Sequence, residues 1–170
     1  MRMARYIIAV ILVLSLISIG YAKKPPRQHY EESGGFSYDP PSGWQIVEFP
    51  GLKYRISHGP VENGFAPNIN VVDEEFSGTL AAYIDGNLKN MEKILIKFKV
   101  LSRVNLKTHD NEAAVKIITE NEQQGRMLRQ TFFFIGSENR KYVVTCSTIA
   151  DGGNKFDTIF LESLKTFRIH

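Results

Sequence analysis

The chain has only one cysteine among its 170 residues, so it cannot form an intrachain disulfide. This residue, Cys146, lies in the apolar run YVVTCSTI. A catalytic thiolate needs an activating base and electropositive surroundings, whereas a cysteine within a strand pattern usually behaves as a small buried hydrophobic residue. We therefore expect Cys146 to be buried and unreactive, and the hydrophobic core to supply the stability of the domain.

The chain also lacks several short motifs of catalysis and cofactor binding. It contains neither glycine-rich phosphate-binding pattern, G-x-x-x-x-G-K-[ST] or G-x-G-x-x-G, and no G-x-S-x-G nucleophile elbow. No two histidines are three or four residues apart, as they are in many helical zinc sites. We expect no enzymatic activity, no metal and no cofactor. The linear sequence leaves open that His58 or His109 meets a carboxylate in the fold. The histidines are His29, His58, His109 and His170.

A basic face or stripe, which nucleic-acid-binding proteins present, is missing as well. The formal net charge is +3, and residues 1–22 contribute two arginines and no acidic residue to it. From residue 23 onwards the charge is therefore close to neutral, and the lysines are scattered. We expect no nucleic-acid partner.

The N-terminus has the organisation of a secretory signal peptide. Arg2 and Arg5 precede the apolar residues 6–19 (YIIAVILVLSLISI), and small residues follow at Gly20 and Ala22. The apolar run is short compared with the roughly 20 residues of a membrane-spanning helix. The pattern predicts cleavage between Ala22 and Lys23 and an exported protein, periplasmic or secreted. An uncleaved N-terminal membrane anchor is the alternative.

Residues 23–33 (KKPPRQHYEES) have little to bury and are predicted to be a flexible tether before a single domain at 34–170. That domain opens with GGFSYDPPSGW, which contains the only tryptophan, Trp44. The glycines and prolines predict a turn between a strand at 35–38 and a strand at 44–49. We expect a hairpin with Trp44 in the core. A ligand-binding loop is the competing interpretation.

The spacing of the apolar residues changes from strand-like alternation to every three or four positions at residues 80–98, which predicts a helix there. Ser77 or Thr79 is suited to cap its first turn. Asp73, Glu74 and Glu75 precede the helix, where their charges would complement the helix dipole. The same three residues are the candidate interaction edge for a partner, or for a cation.

Strands are predicted again at 100–107, 113–120, 126–135 and 141–149, followed by a second helix with Phe156, Ile159, Phe160 and Leu164 on one face. The strands at 126–135 and 141–149 are apolar on both faces, which is typical of central strands covered on both sides. The predicted order is a group of strands, a long helix, a second group of strands and a last helix. This order predicts an α+β fold with helices packed on an antiparallel sheet.

This order, together with several local segments, resembles the PsbP-like proteins (the extrinsic photosystem II protein P family) and the related DcrB-like bacterial families. The resemblance spans residues 34–169. The segments that carry it are GFSY at 35–38, Pro41, GW at 43–44, NINV at 68–71, AAV at 113–115, KYVV at 141–144 and SLKTF at 163–167.

The resemblance implies an α/β/α sandwich around an antiparallel sheet and a non-enzymatic accessory role in an exported protein. We accordingly expect a monomer that binds a protein or a membrane-associated complex, without a membrane span after residue 22. The alternative is a periplasmic carrier that holds a small apolar ligand or a lipid between sheet and helix. The side chains around such a ligand would be Tyr83, Met91, Phe132, Phe133 and Phe134.

Overall fold

A computed structural model describes residues 28–170. The predicted signal peptide, its cleavage site between Ala22 and Lys23, and residues 23–27 of the predicted tether lie outside the described residues. The described part contains ten strands and two α-helices. In chain order these are β1 (His29–Glu31), β2 (Phe36–Tyr38), β3 (Gln45–Val47), β4 (Ile56–His58), β5 (Asn68–Glu75), α1 (Leu80–Ile94), β6 (Ile96–Lys107), β7 (Ala113–Gln123), β8 (Arg126–Gly136), β9 (Arg140–Ile149), α2 (Asp157–Lys165) and β10 (Arg168–Ile169).

Seven strands form the main sheet in the order β3-β4-β5-β9-β8-β7-β6, and every neighbouring pair is antiparallel. β8 and β9 lie inside this sheet, as their two-sided apolar pattern predicts. β6 is at one edge and the three-residue β3 at the other. The predicted α+β class is confirmed.

The two helices cover opposite faces of the main sheet. On β8, Phe132 and Phe134 pack with Tyr83, Ile84 and Met91 of α1, and we name this side the α1 face. The alternate residues of β8 belong to a second cluster that contains the buried side chains of α2, and we name that side the α2 face. Side chains along a strand point alternately to the two faces, so one sheet supports both cores. The α/β/α sandwich is confirmed.

A second sheet of three strands, in the order β1-β2-β10, corrects two expectations. The predicted hairpin of β2 with β3 is wrong, because β2 pairs with β1 and β10 while β3 belongs to the main sheet. Beyond β2, the amide of Asp39 donates to Thr166 Oγ1 at 2.8 Å, which ties this turn to the end of α2. The expectation of a flexible tether is also wrong for residues 28–33. They contain β1, where His29 is buried.

Helix α1 begins as predicted but ends earlier. Thr79 is its N-cap, and its Oγ1 accepts a hydrogen bond from the amide of Ala82 at 3.1 Å. The helix ends at Ile94 rather than at Phe98, and Lys97, at the first register irregularity of β6, has a positive φ of 53°. Phe98 still packs against the core beneath α1, which explains why its spacing resembles a continuing helix.

Trp44 and Cys146 are both core residues, as expected. Trp44 is 4% exposed and lies against the rings of Phe156 and Phe160. Cys146 is fully buried, and burial raises the pKa of its thiol. Ile159 departs from the predicted buried face of the second helix, since 39% of it is exposed. Within residues 28–170, neither helix combines the length and hydropathy that a membrane crossing requires.

Candidate functional site

The three acidic residues predicted as an interaction edge do not share one exposed surface. Asp73 is buried, and its carboxylate accepts hydrogen bonds from Lys53 Nζ at 2.7 Å and from the Tyr54 hydroxyl at 2.6 Å. Arg140 Nε lies 3.0 Å from its other oxygen. Burial, reinforced by the hydrogen bond to Asp73, raises the pKa of Tyr54. Asp73 therefore fastens the loop before β4 to the end of β5.

The other two acidic residues lie beside Asp73 at the end of β5, before α1 begins. Glu74 is partly buried on the side of Tyr83, where burial and the Glu74 carboxylate raise the pKa of the tyrosine. Glu75 is exposed. All three acidic residues belong to β5, upstream of the N-cap Thr79, and the first turn of α1 itself contains no acidic residue.

The four histidines have different surroundings. His29 is buried against the rings of Phe36 and Tyr38, where burial and the nearby Arg55 lower its pKa to about 4. His58 is buried on β4 and donates from Nδ1 to the carbonyl of Gly59 at 2.9 Å. The carbonyl can only accept, so Nδ1 is the donor of this hydrogen bond.

The remaining two histidines lie at the surface or at the chain end. His109 is exposed beside its neighbour Asp110, with Nδ1 and Oδ1 2.9 Å apart, and His170 bonds to Ser37. Across residues 28–170, no group of three His, Cys, Asp or Glu side chains is arranged to hold a metal ion. His109 thus meets a carboxylate, but only an exposed one next to it in sequence.

The five side chains predicted to surround an apolar ligand are packed into the core instead. Each is at most 1% exposed. Four belong to the α1 face, where the Phe134 ring centroid is 6.2 Å from those of both Tyr83 and Phe132. Phe133 lies on the α2 face, in the other core. These residues fill two separate layers and do not line a common cavity.

The loop at 40–43 turns the chain while Trp44 is held in the core, as the architectural interpretation predicts. The outer side of this loop, together with Ile159 of α2, lines an open groove of about 480 Å³. The loop is followed by a strand and lacks a phosphate-binding sequence.

A cluster of exposed apolar side chains surrounds the edge strand β6. Of the eight large apolar side chains that are exposed within residues 28–170, five lie between positions 94 and 104. They range from 38% exposed at Leu101 to 61% at Ile96. We name this set the β6 patch; its members are Ile94, Ile96, Val100, Leu101 and Val104.

The β6 patch extends around both sides of an open strand edge. Val100 pairs with Thr119, which lies on the α1 face, and Val104 pairs with Lys116, which lies on the α2 face. β6 pairs only with β7, and two register irregularities interrupt that pairing before residue 102. From 102 to 107 the pairing is regular. This segment therefore presents unpaired backbone donors and acceptors along its outer edge.

A second unusual feature is a row of buried polar side chains on the α1 face, which we name the polar row. A directional chain of hydrogen bonds runs through it: Asn121 donates to Gln130 at 2.6 Å, and Gln130 donates to Ser147 at 2.9 Å. The row continues onto β5 and β4, because Asn68 of β5 lies opposite both Ser147 of β9 and His58 of β4. Its members are His58, Asn68, Asn70, Thr119, Asn121, Gln130, Thr145 and Ser147, all at most 6% exposed.

Neither the β6 patch nor the polar row is predicted from the sequence. Polar residues do recur at every second position within apolar strands, as at Asn68 and Asn70 or at Thr145 and Ser147. That alternation is a signal for one shared face. β6 is an edge strand because of the order of strands in the sheet, and no short stretch of sequence indicates that order.

No protein-family model matches the sequence, and no curated protein matches it. Solved structures do match. Cyanobacterial PsbP from Synechocystis sp. PCC 6803 superposes with a TM-score of 0.63 at 12% identity, covering 91% of this chain and 99% of that chain. LpqN of Mycobacterium tuberculosis superposes with a TM-score of 0.59 at 13% identity, covering 79% of this chain and 82% of that chain.

A Pseudomonas aeruginosa protein of unknown function, PA94, gives a TM-score of 0.58 at 18% identity, over 72% of this chain and 94% of that one. At such identities the similarity concerns the fold. The PsbP-like fold expected from the sequence resemblance is confirmed.

Proposed function

We propose that the protein is an exported, non-enzymatic accessory module that engages a protein or a membrane-associated complex through the β6 patch. The observation that carries this proposal is the concentration of exposed apolar side chains on an open strand edge. Contiguous exposed apolar surface on a folded domain commonly marks an interaction site. An unpaired strand edge adds the backbone groups that a partner strand can use.

The occupant of this edge is an extended segment of another protein. Lys97, Lys99, Arg103 and Lys107 give β6 four cations, and the strand contains no acidic residue. A second copy paired along the same edge would bring like charges together, which is destabilising across a strand pair. A partner segment that combines apolar and acidic side chains fits this edge better. The protein itself would remain monomeric.

Two further facts support an exported accessory role. The N-terminal sequence has the organisation of a signal peptide, with a predicted cleavage site between Ala22 and Lys23. Among the proteins that share the fold, LpqN is described as involved in cell envelope biogenesis. The filled layers around Phe133 and Phe134 give no support to the carrier alternative. The acidic residues also contribute little, because of the three only Glu75 is exposed.

Site-specific photo-crosslinking in the native host tests the proposal. A photoreactive residue replaces Val104 in the full-length chain, and in a matched strain it replaces Val61, which is 58% exposed but lies outside the β6 patch. We expect a discrete crosslinked protein from position 104 that position 61 does not give. The added change Leu101→Lys should remove it, whereas Leu52→Lys, a partly exposed position away from β6, should not.

Crosslinking at position 104 that is absent, or no stronger than at position 61, would overturn the proposal. So would a crosslinked species that survives Leu101→Lys unchanged, because binding would then not depend on the β6 patch.

A further inference from the structure

The regular half of the β6 edge, residues 102–107, has two chemically different sides. Arg103 pairs with Ile117 of β7, which belongs to the core of the α1 face. Leu106 pairs with Ala114, which belongs to the core of the α2 face. Side chains point alternately to the two faces along a strand, so these two pairs assign the whole segment. The α1 side carries Arg103, Asn105 and Lys107, and the α2 side carries Ser102, Val104 and Leu106.

The α1 side of this edge is cationic. Lys107 Nζ donates a hydrogen bond to the amide oxygen of Asn111 at 2.8 Å, a neutral partner that does not balance its charge. Arg103 Nη1 lies 3.3 Å from Asp85 Oδ1, but both side chains are exposed, and exposed ion pairs contribute little. The two cations are four residues apart, which is about 13 Å along a strand. A strand paired with this edge would place one side chain opposite each cation, and a carboxylate is favourable at both positions.

The α2 side of the same edge is apolar. Val104 is 48% exposed, and Leu106, its neighbour on this side, is partly buried against the core of the α2 face. Directly opposed side chains of neighbouring strands have Cβ atoms about 5 Å apart, so an apolar side chain on a partner strand would bury the exposed part of Val104. A charged side chain there would instead lose water without gaining a partner. The two sides of the edge therefore favour opposite kinds of side chain.

The pairing surface is short and has defined ends. The register of β6 against β7 is interrupted before Ser102. After Lys107 the chain turns, and the amide of Thr108 donates to the carbonyl of Glu112 at 3.1 Å. Six residues of regular strand span about 20 Å. Asn105 lies between the two cations on the α1 side, so a neutral polar side chain suits the position opposite it.

We propose that the partner strand has the five-residue pattern acidic–apolar–polar–apolar–acidic. Its acidic residues lie opposite Arg103 and Lys107, and its apolar residues lie opposite Val104 and Leu106. This pattern rests on the proposed function, since it describes the strand that the β6 edge receives. It reads the same in both directions, so it holds whether the partner strand runs parallel or antiparallel to β6.

Peptides that differ only in residue order test the pattern. The probe peptide has the core sequence DVTVE and the control has the same residues in the order DETVV, with identical Gly-Ser flanks and blocked ends. Each is titrated into isotope-labelled protein purified from the envelope fraction of cells that produce the full-length chain. We expect DVTVE to shift the amide resonances of residues 102–107, but not those of the 59–64 loop, with a Kd of about 1 mM or lower. DETVV should bind about threefold more weakly, or less tightly still.

Exchanging the charges between the two strands shows whether the cations determine the pattern. The double variant Arg103→Glu, Lys107→Glu should bind DVTVE about tenfold more weakly and should bind the reversed peptide KVTVK more tightly than wild type does. Lys165→Glu, at an exposed position of α2, is the matched control and should leave the Kd for DVTVE within about twofold. Both positions of the double variant are exposed, and binding of KVTVK would itself show that the variant is folded.

The native complex separates this pattern from the proposed function. Mass spectrometry maps the partner residues that are crosslinked from position 104, and we expect them to lie in a segment of the proposed pattern. A crosslink that Leu101→Lys removes, but that maps to a segment without alternating acidic and apolar residues, would overturn the pattern and leave the proposed function intact. Without a specific crosslink from position 104, the proposed function fails and the pattern fails with it.

The peptides can also contradict the pattern by themselves. It would be overturned if DVTVE did not bind, if DVTVE and DETVV bound with equal affinity, or if binding of DVTVE survived the double variant unchanged.

Discussion

The indole of Trp44 meets the ring of Phe160 edge to face, with centroids 6.1 Å apart and planes at 89°. This contact links the start of β3 to α2 across the core of the α2 face. Aromatic pairs favour such edge-to-face geometry, and the tryptophan also contributes a large buried apolar area. Trp44, the last residue of the segment GGFSYDPPSGW, therefore has a structural role in the core.

Replacing this tryptophan should destabilise the domain strongly. Trp44→Ala removes a side chain that is 4% exposed, so we expect a loss of about 3–5 kcal/mol in the free energy of unfolding. Ser42→Ala, in the exposed loop beside it, should change that free energy by less than about 0.5 kcal/mol. Urea unfolding of both variants measures the difference. Equal midpoints would contradict a core role for Trp44.

Gly59 gives a second measure of the same packing. A Cβ added at Gly59 would lie 2.9 Å from Trp44 Cε2, closer than real Cβ atoms come to a neighbouring atom. We expect Gly59→Ala to cost about 1–3 kcal/mol, because the indole must move within a packed core. Gly152→Ala is the control, since a Cβ there meets no atom within 4 Å. Thermal unfolding should show a lower Tm for Gly59→Ala only.

Much of the fold follows from the sequence because the apolar pattern is strong where the core is thickest. The strands that are apolar on both faces are the central β8 and β9, and the period of three to four residues identifies α1. The end of α1 could not be predicted, because Leu95 and Phe98 keep helical spacing while packing on the same core.

The sheets to which β2 and β3 belong could not be predicted either. β2 pairs with the distant C-terminal strand β10, and the Asp39 amide beyond it bonds to Thr166, whereas β3 pairs with β4. The same limit applies to the β6 patch and to the buried polar row. The β6 patch depends on strand order, and the polar row depends on the register of five strands. Local sequence carries neither kind of information.

The thiol of Cys146 should react slowly in the folded protein. It is fully buried, and burial raises its pKa, so little thiolate is available and reagent access is blocked. A thiol-specific reagent at neutral pH should label it many times faster in denaturant than in buffer. Labelling at equal rates in both conditions would show that the thiol is accessible in the native state.

His29 should make the stability depend on pH. Burial and Arg55 lower its folded pKa from 6.5 to about 4, partly opposed by Glu31, so the unfolded chain binds the proton more readily. The stabilisation is fully present above pH 6.5 and decreases as the pH falls toward 4, with a slope of at most about 1.4 kcal/mol per pH unit.

The variant His29→Gln, which does not titrate in this range, isolates that contribution. Between pH 7 and pH 5, wild type should lose more unfolding free energy than His29→Gln in urea titrations. Parallel losses in the two proteins would mean that other groups cause the pH dependence.

The central claim is that a partner pairs with the edge of β6, and amide hydrogen exchange in residues 102–107 tests it most directly. Exchange is measured on the isolated protein and on the complex purified from the native envelope with its crosslinking partner. In the isolated protein, the outward-facing amides of this edge should exchange fast, because β7 bonds only the inner side of β6. We predict that these amides become protected in the complex while those of the 59–64 loop do not. Unchanged exchange along 102–107 in a complex that is otherwise intact would contradict the account.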